Sequence, residues 1–174
     1  MNKKFYNRDA EIVARDLLGN VLVREINGNK LRARIVETEA YYGDDDPASR
    51  ACQNGDLRKT MLMRSGVILV YGIHNNWMLN FVTGRKGKAR AVLIRAVEPL
   101  NFSEKCNGPG LLTRALKIGK EFHKHDITNH KEMIVVGSKR KNFDIGKSFR
   151  IGVKKDLPKK LRFYIKGNKH ISRK

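Results

Sequence analysis

The sequence is short of cysteine, short of acidic side chains and free of long apolar runs. Cys52 and Cys106 are the only two thiols in 174 residues, and they lie far apart in the chain, which excludes a disulfide framework. Two thiols do not close a structural zinc site unaided. No stretch approaches the roughly 20 apolar residues of a membrane-spanning helix. Met1 to Asp9 has no apolar core of the kind a secretory leader carries, so a cytosolic protein is expected.

The acidic deficit is large: 17 Asp and Glu stand against 37 Lys and Arg, a formal net charge of +20. Such a charge on a compact body works against folding through self-repulsion and points to a polyanionic partner. Nucleic acid fits first, because every neutralised phosphate releases condensed counterions. A membrane surface fits second, and a proteome rich in lysine explains the charge without any partner.

What is present is a chain of one-domain length, since domains run roughly 100–200 residues. Asn7 to Gly19 reads as a helix, with Asn7 as N-cap, Asp9 and Glu11 at the positive end of the dipole, and Gly19 as a left-handed cap. Val21–Ile26 and Leu31–Glu39 form a predicted hairpin about Asn27-Gly28. Asp44 to Arg58 shows no periodicity and reads as a loop. Val67–Tyr71, Trp77–Thr83 and Ala91–Val97 are apolar strand runs, with a basic turn at Gly84–Lys88. Asn107-Gly108-Pro109-Gly110 leads into a helix over Leu111–Phe122; the turn either presents amides to a phosphate or simply starts the helix. Glu132–Val136, Ser148–Val153 and Leu161–Lys166 read as closing strands. The expected fold is α+β: a single domain over residues 1–174, with a curved, mostly antiparallel sheet or open barrel and flanking helices.

One run stands out chemically. In Ile35-Val36-Glu37-Thr38-Glu39-Ala40-Tyr41, strand alternation places Ile35, Glu37 and Glu39 on one face. Two carboxylates there are either solvated glutamates or groups with a chemical task. A surface that receives DNA should be poor in carboxylates, which favours the task.

That run resembles the signature of the alkyladenine (3-methyladenine) DNA glycosylase family, in its eukaryotic-type form. Tyr71-Gly72-Ile73-His74, Val92-Leu93-Ile94-Arg95-Ala96-Val97-Glu98-Pro99, Cys106-Asn107-Gly108-Pro109 and Leu161-Arg162-Phe163-Tyr164-Ile165 follow in the same order as in that family. The resemblance implies a monofunctional, metal-free and cofactor-free glycosylase. It would act as a monomer on double-stranded DNA containing damaged purines, of the 3-methyladenine, 7-methylguanine and hypoxanthine class. It would flip the nucleotide out of the duplex for base excision repair, in a bacterial cytosol. Glu39 matches the general base, and Arg95 the arginine that helps hold the attacking water. Pairing with Arg95 is expected to lower the pKa of Glu39. Tyr41 matches the tyrosine that stacks on the base, Asn80 the asparagine that screens its edge, and the backbone near Val153 a third water contact.

Tyr71 matches the tyrosine wedged into the duplex, unless it is an ordinary strand aromatic, and the neighbouring Ile73 or His74 shares that wedge in a second reading. Arg50 departs from the pattern, standing where the family has a histidine beside the base. It implies either a purely main-chain contact or a lesion range shifted toward neutral bases such as hypoxanthine. A rival of another class is a non-catalytic nucleic-acid-binding or lesion-binding protein. His123, His125 and His130 near Asp126 read as surface histidines rather than as metal ligands.

Overall fold

The computed structural model describes residues 1–138 and 142–173. The strands are β1 Val21–Ile26, β2 Asn29–Tyr41, β3 Ile68–Ile73, β4 Asn76–Val82, β5 Ala91–Pro99, β6 Met133–Val136, β7 Ile145–Ser148 and β8 Arg162–Ile165. They form one antiparallel sheet in the order β3-β4-β5-β2-β1-β6, with β8 pairing to β2 and β7 to β8. Among the described residues four helices flank the curled sheet: α1 Lys3–Tyr6, α2 Ala10–Leu17, α3 Asp56–Met61 and α4 Pro109–Ala115. This is the expected α+β fold. No helix among the described residues is long and apolar enough to cross a membrane.

The first hairpin closes as its turn chemistry predicts. Asn27 and Gly28 take φ of 50° and 79°, the two left-handed positions of a type I′ turn, and Ile26 pairs with Asn29. A second tight turn, His74-Asn75, repeats those dihedrals at 46° and 60° and joins β3 to β4 with Ile73 opposite Asn76. It carries no glycine, so the sequence does not announce it.

The two sheet faces have different jobs, and pairing partners share a face. On one, Ile68, Val70, Leu79, Phe81, Val92 and Ile94 pack against Ala10, Val13, Ala14 and Leu17 of α2 and Leu112 and Leu116 of α4. Each fully buried Val, Leu or Ile of this core contributes about 1.5–3 kcal/mol. Thr38 ties β2 to α2 by donating to the Ala14 carbonyl at 2.8 Å. The opposite face presents Tyr71, Met78, Asn80, Leu93, Glu39 and Tyr41, linked by the pairs Tyr71–Met78, Asn80–Leu93 and Glu39–Leu93.

Several expected boundaries move, each for a local reason. Asp9, not Asn7, caps α2 by accepting from the Glu11 amide, while Asn7 closes the short α1. Gly19 is left-handed but gives its N–H to the Ile35 carbonyl of β2 rather than to the helix. The supposed loop from Asp44 to Arg58 contains a 3₁₀ turn at Arg50–Cys52 and the start of α3; α3 buries only Thr60 and Met61, too little to give a readable period. The helix expected to reach Phe122 stops at Ala115. Lys117 adopts φ 47° and the Ile118 N–H returns to the Thr113 carbonyl at 2.8 Å, the closing bond of a Schellman cap with lysine in the usual glycine place. His123 is anchored rather than solvated: its Nδ1 accepts from the Val70 amide at 3.2 Å and its Nε2 faces Asp56 at 2.9 Å.

Candidate active site

β2 is long enough to pair with β5 along one edge and with β1 and then β8 along the other. The site forms where it changes partner. Ile35 pairs with Val97 and Glu37 with Ala96, so Val36 is an extra residue on β2; Thr38 then pairs with Ile94, so Arg95 is an extra residue on β5. Two compensating bulges re-aim side chains without losing the overall register. Ile35 and Val36 consequently both join the main core, which corrects the expectation that Ile35 shares the carboxylate face. Glu37, Glu39 and Arg95 converge on the other side.

Glu39 has no exposed surface. Its Oε1 accepts from the Ile151 N–H at 2.8 Å, and its Oε2 accepts from the Tyr41 hydroxyl at 2.8 Å and from Arg95 Nη1 at 3.3 Å. Burial dominates the electrostatics and pushes the carboxyl above its ordinary range, although Arg95, the Ile151 amide and the Tyr41 hydroxyl all oppose it. The expected lowering by Arg95 is therefore present but outweighed. A raised pKa makes Glu39 a stronger base once ionised, and it moves the loss of that base on acidification to a higher pH.

Glu37 is equally buried and serves as a hub. Its Oε1 accepts from Arg95 Nε at 3.2 Å, Arg162 Nε at 2.7 Å and the Ser172 hydroxyl at 2.7 Å. Two carboxyl groups and two guanidiniums thus pair within one buried cluster, the condition under which buried charge is tolerated.

In the segment where a third water contact was expected near Val153, the backbone that meets the carboxylate and its arginine is that of Ile151. Ile151 gives its N–H to Glu39 and its carbonyl accepts from Arg95 Nη1 at 3.3 Å, whereas Val153 bonds neither group. The same geometry explains why Ser148–Val153 is not a strand. Beyond Ser148 the amides of Arg150 and Ile151 are spent on Asp156 and Glu39 rather than on a ladder.

Two tyrosines stand beside the carboxylate, each with an arginine on its ring. Arg150 lies 4.5 Å from the Tyr41 ring centroid and Arg50 lies 5.1 Å from that of Tyr71. Arg150 is held by both oxygens of Asp46, at 2.7 and 2.6 Å, and by Asp156 through Nε at 2.9 Å. Burial pushes both partners toward their neutral forms, yet the ion pairing wins and holds Asp46 below the usual carboxylate range. Asn80 sits at the floor, its amide donating to the Leu69 and Met78 carbonyls at 3.2 Å each.

Tyr71 does not occupy the tip of the β3–β4 hairpin. Its ring turns inward toward Arg50, Glu39 and Asn80, and the tip belongs to His74 and Asn75. Sequence reasoning did not find Arg150, Asp46, Ile151 or Ser172. Nothing in their spacing marks them; an arginine such as Arg150 between Phe149 and Ile151 was the only available hint. A cavity of about 490 Å³ lined by residues including His125, Asp126 and His130 contains none of these groups.

The comparisons with known proteins agree on one family. Residues 4–169 match the methylpurine-DNA glycosylase family model. The chain is 40% identical over 187 residues to a protein of Borreliella afzelii, spanning 99% of this chain and all of the relative. It is 38% identical over 178 residues to one of Aeropyrum pernix, covering 98% and 92% of the two chains. A protein of Carboxydothermus hydrogenoformans is 40% identical over 192 residues, covering 99% and 98%. All three carry the name "Putative 3-methyladenine DNA glycosylase".

Proposed function

Since the chain belongs to the methylpurine-DNA glycosylase family, a family of DNA glycosylases, we propose that it hydrolyses the bond between an alkylated or deaminated purine and its deoxyribose in duplex DNA. The observation that carries this reading is the ionisable, fully buried Glu39, held by Arg95, Tyr41 and the Ile151 amide beside two aromatic rings.

The chemistry needs a base for water and a negative charge near the sugar. Oε2 of Glu39 already takes two donors, whereas Oε1 takes one and keeps a free lone pair. Oε1 is thus the atom that receives the proton of the attacking water. Arg95 and the Ile151 carbonyl, themselves in contact at 3.3 Å, lie beside the carboxylate and orient the water. As the base leaves, the ionised Glu39 stabilises the positive charge growing on the sugar. The product is an abasic site with the phosphodiester backbone intact.

The damaged nucleotide reaches this site by leaving the duplex. Tyr41, whose one ring face is covered by Arg150, offers its other face to the flipped base, and the inward Tyr71 and Asn80 bound the same space. The gap in the duplex is filled from the hairpin end, by His74 at the tip with Ile73 beside it, rather than by Tyr71. Surface lysines and arginines contact the phosphates of the duplex as a single copy of the protein binds it.

The function is tested on duplexes bearing one 3-methyladenine or one hypoxanthine. Free base and an abasic site without strand cleavage are expected, and borohydride should trap no covalent adduct. A trapped adduct would instead require an amine nucleophile. Arg50 sets the second expectation. Its guanidinium beside Tyr71 repels a cationic alkylated purine but donates to O6 or N7 of a neutral one. Arg50→His should therefore raise the ratio of 3-methyladenine to hypoxanthine release, and an unchanged ratio would remove Arg50 from lesion selection.

A further inference from the structure

The end of the described chain returns to the site at Glu37 and Arg95. The Ser172 hydroxyl donates to Glu37 Oε1 at 2.7 Å and accepts from Arg95 Nε and Nη2, both at 3.4 Å. Its backbone N–H donates to the other Glu37 oxygen. The next carbonyl, that of Arg173, accepts from Arg162, the arginine whose Nε already holds Glu37. One hydroxyl thus sits between an anion and a cation, using its single donor on the first and its lone pairs on the second.

Arg95 needs such help. It is the extra residue of a bulge, so strand alternation does not fix its direction. None of its hydrogen bonds is short: they run from 3.2 Å to Glu37 through 3.3 Å to Glu39 and Ile151, and 3.4 Å to Ser172. No single partner grips the guanidinium. Its place between the two carboxylates is set by the sum, and Ser172 is the member that joins Glu37 to it.

We propose that Ser172 is a positioning residue of the reaction: it latches Glu37 to Arg95 and so fixes the cation that faces Glu39. The inference rests on Glu39 being the general base. The groups around Glu39 are Arg95 from β5, Tyr41 and Glu37 from its own strand, Tyr71 from β3, Arg162 across from it on β8 and the Ile151 amide, with Arg150 behind Tyr41. Among these, Arg95 supplies the leading opposition to burial. Displacing it leaves burial less opposed, so Glu39 takes up its proton at higher pH.

The full chain, Ser172→Ala and Ser172→Thr are compared by two readouts. The first is the pH profile of single-turnover hypoxanthine release. The second is the titration of Glu39, followed without DNA by carbon NMR of carboxyl-labelled glutamate and assigned by its loss in Glu39→Gln. Ser172→Ala should slow release about tenfold at neutral pH, with duplex affinity unchanged. Its acid limb and the Glu39 titration should both move up by on the order of half a pH unit. Ser172→Thr, which keeps the hydroxyl, should restore both. Identical titrations in all three proteins would overturn the proposal, as would a slow alanine variant that threonine does not rescue. If the unaltered protein releases no base, the glycosylase reading fails while the titration still decides the role of Ser172.

Discussion

Arg150→Met should destabilise the protein by about 3–5 kcal/mol, the usual consequence of removing one partner from a buried ion pair. The side chains of Arg150 and Asp46 are both fully enclosed, so Asp46 would be left as an anion with only the Tyr42 and Ala48 amides to solvate it. At this chain length the melting temperature should fall by on the order of 10 °C. Arg150 also donates to the Ala40 carbonyl at 3.0 Å and lies on the Tyr41 ring, so base release should weaken with stability. Adding Asp46→Asn removes the stranded charge and should recover part of the loss.

The pH dependence has a definite sign. The folded carboxyl of Asp46 is held low, so its stabilising contribution is complete above the unfolded value near 4. It disappears as pH falls through the folded value. Arg150→Met should lose that part of the acid sensitivity, and thermal melts at several pH values check both effects. A variant that melts with the unaltered protein would show that the pair is replaceable by solvent.

Much of the frame was legible because strong local signals wrote it. Asn27-Gly28 fixed a hairpin that exists as expected, and the apolar runs about Val70, Phe81 and Val92 are indeed neighbouring strands. The misses around the site share a cause: side chains and amides serving distant partners. Ile151 and Arg150 reach groups some 110 residues away, with separations of 112 to Glu39, 104 to Asp46 and 110 to Ala40. No periodicity encodes such a contact, so Ser148–Val153 reads as a strand when its backbone in fact builds the site. Lys117 and His74 take left-handed conformations normally marked by glycine, hiding a helix end and a hairpin tip.

The candidate site was legible in a different measure. Glu39, Tyr41, Asn80 and Arg95 share one sheet face, and the run from Ile35 to Tyr41 marked it. Alternation alone explains Glu37, Glu39 and Tyr41, but Arg95 arrives through a bulge that the sequence does not reveal. Glu37 read as a twin of Glu39; its three-sided attachment to Arg95, Arg162 and Ser172 makes it a structural anchor instead.

Glu39→Gln should reduce base release by about 10²- to 10⁴-fold, the range for loss of a general base. Glutamine has nearly the same shape, and its carbonyl oxygen still accepts from Tyr41 and Arg95. It places an NH₂ group against the Ile151 amide, where two donors now meet, and it cannot take a proton from water at neutral pH. Duplex affinity should be kept or raised, since the protein that receives the phosphates loses one negative charge. The decisive measurement is single-turnover release from a duplex bearing one hypoxanthine, for the unaltered chain and Glu39→Gln, with duplex binding recorded for both. Release by the first, loss in the second and equal or tighter binding is the result predicted. Tight binding with no release from either, or equal release from both, would contradict it.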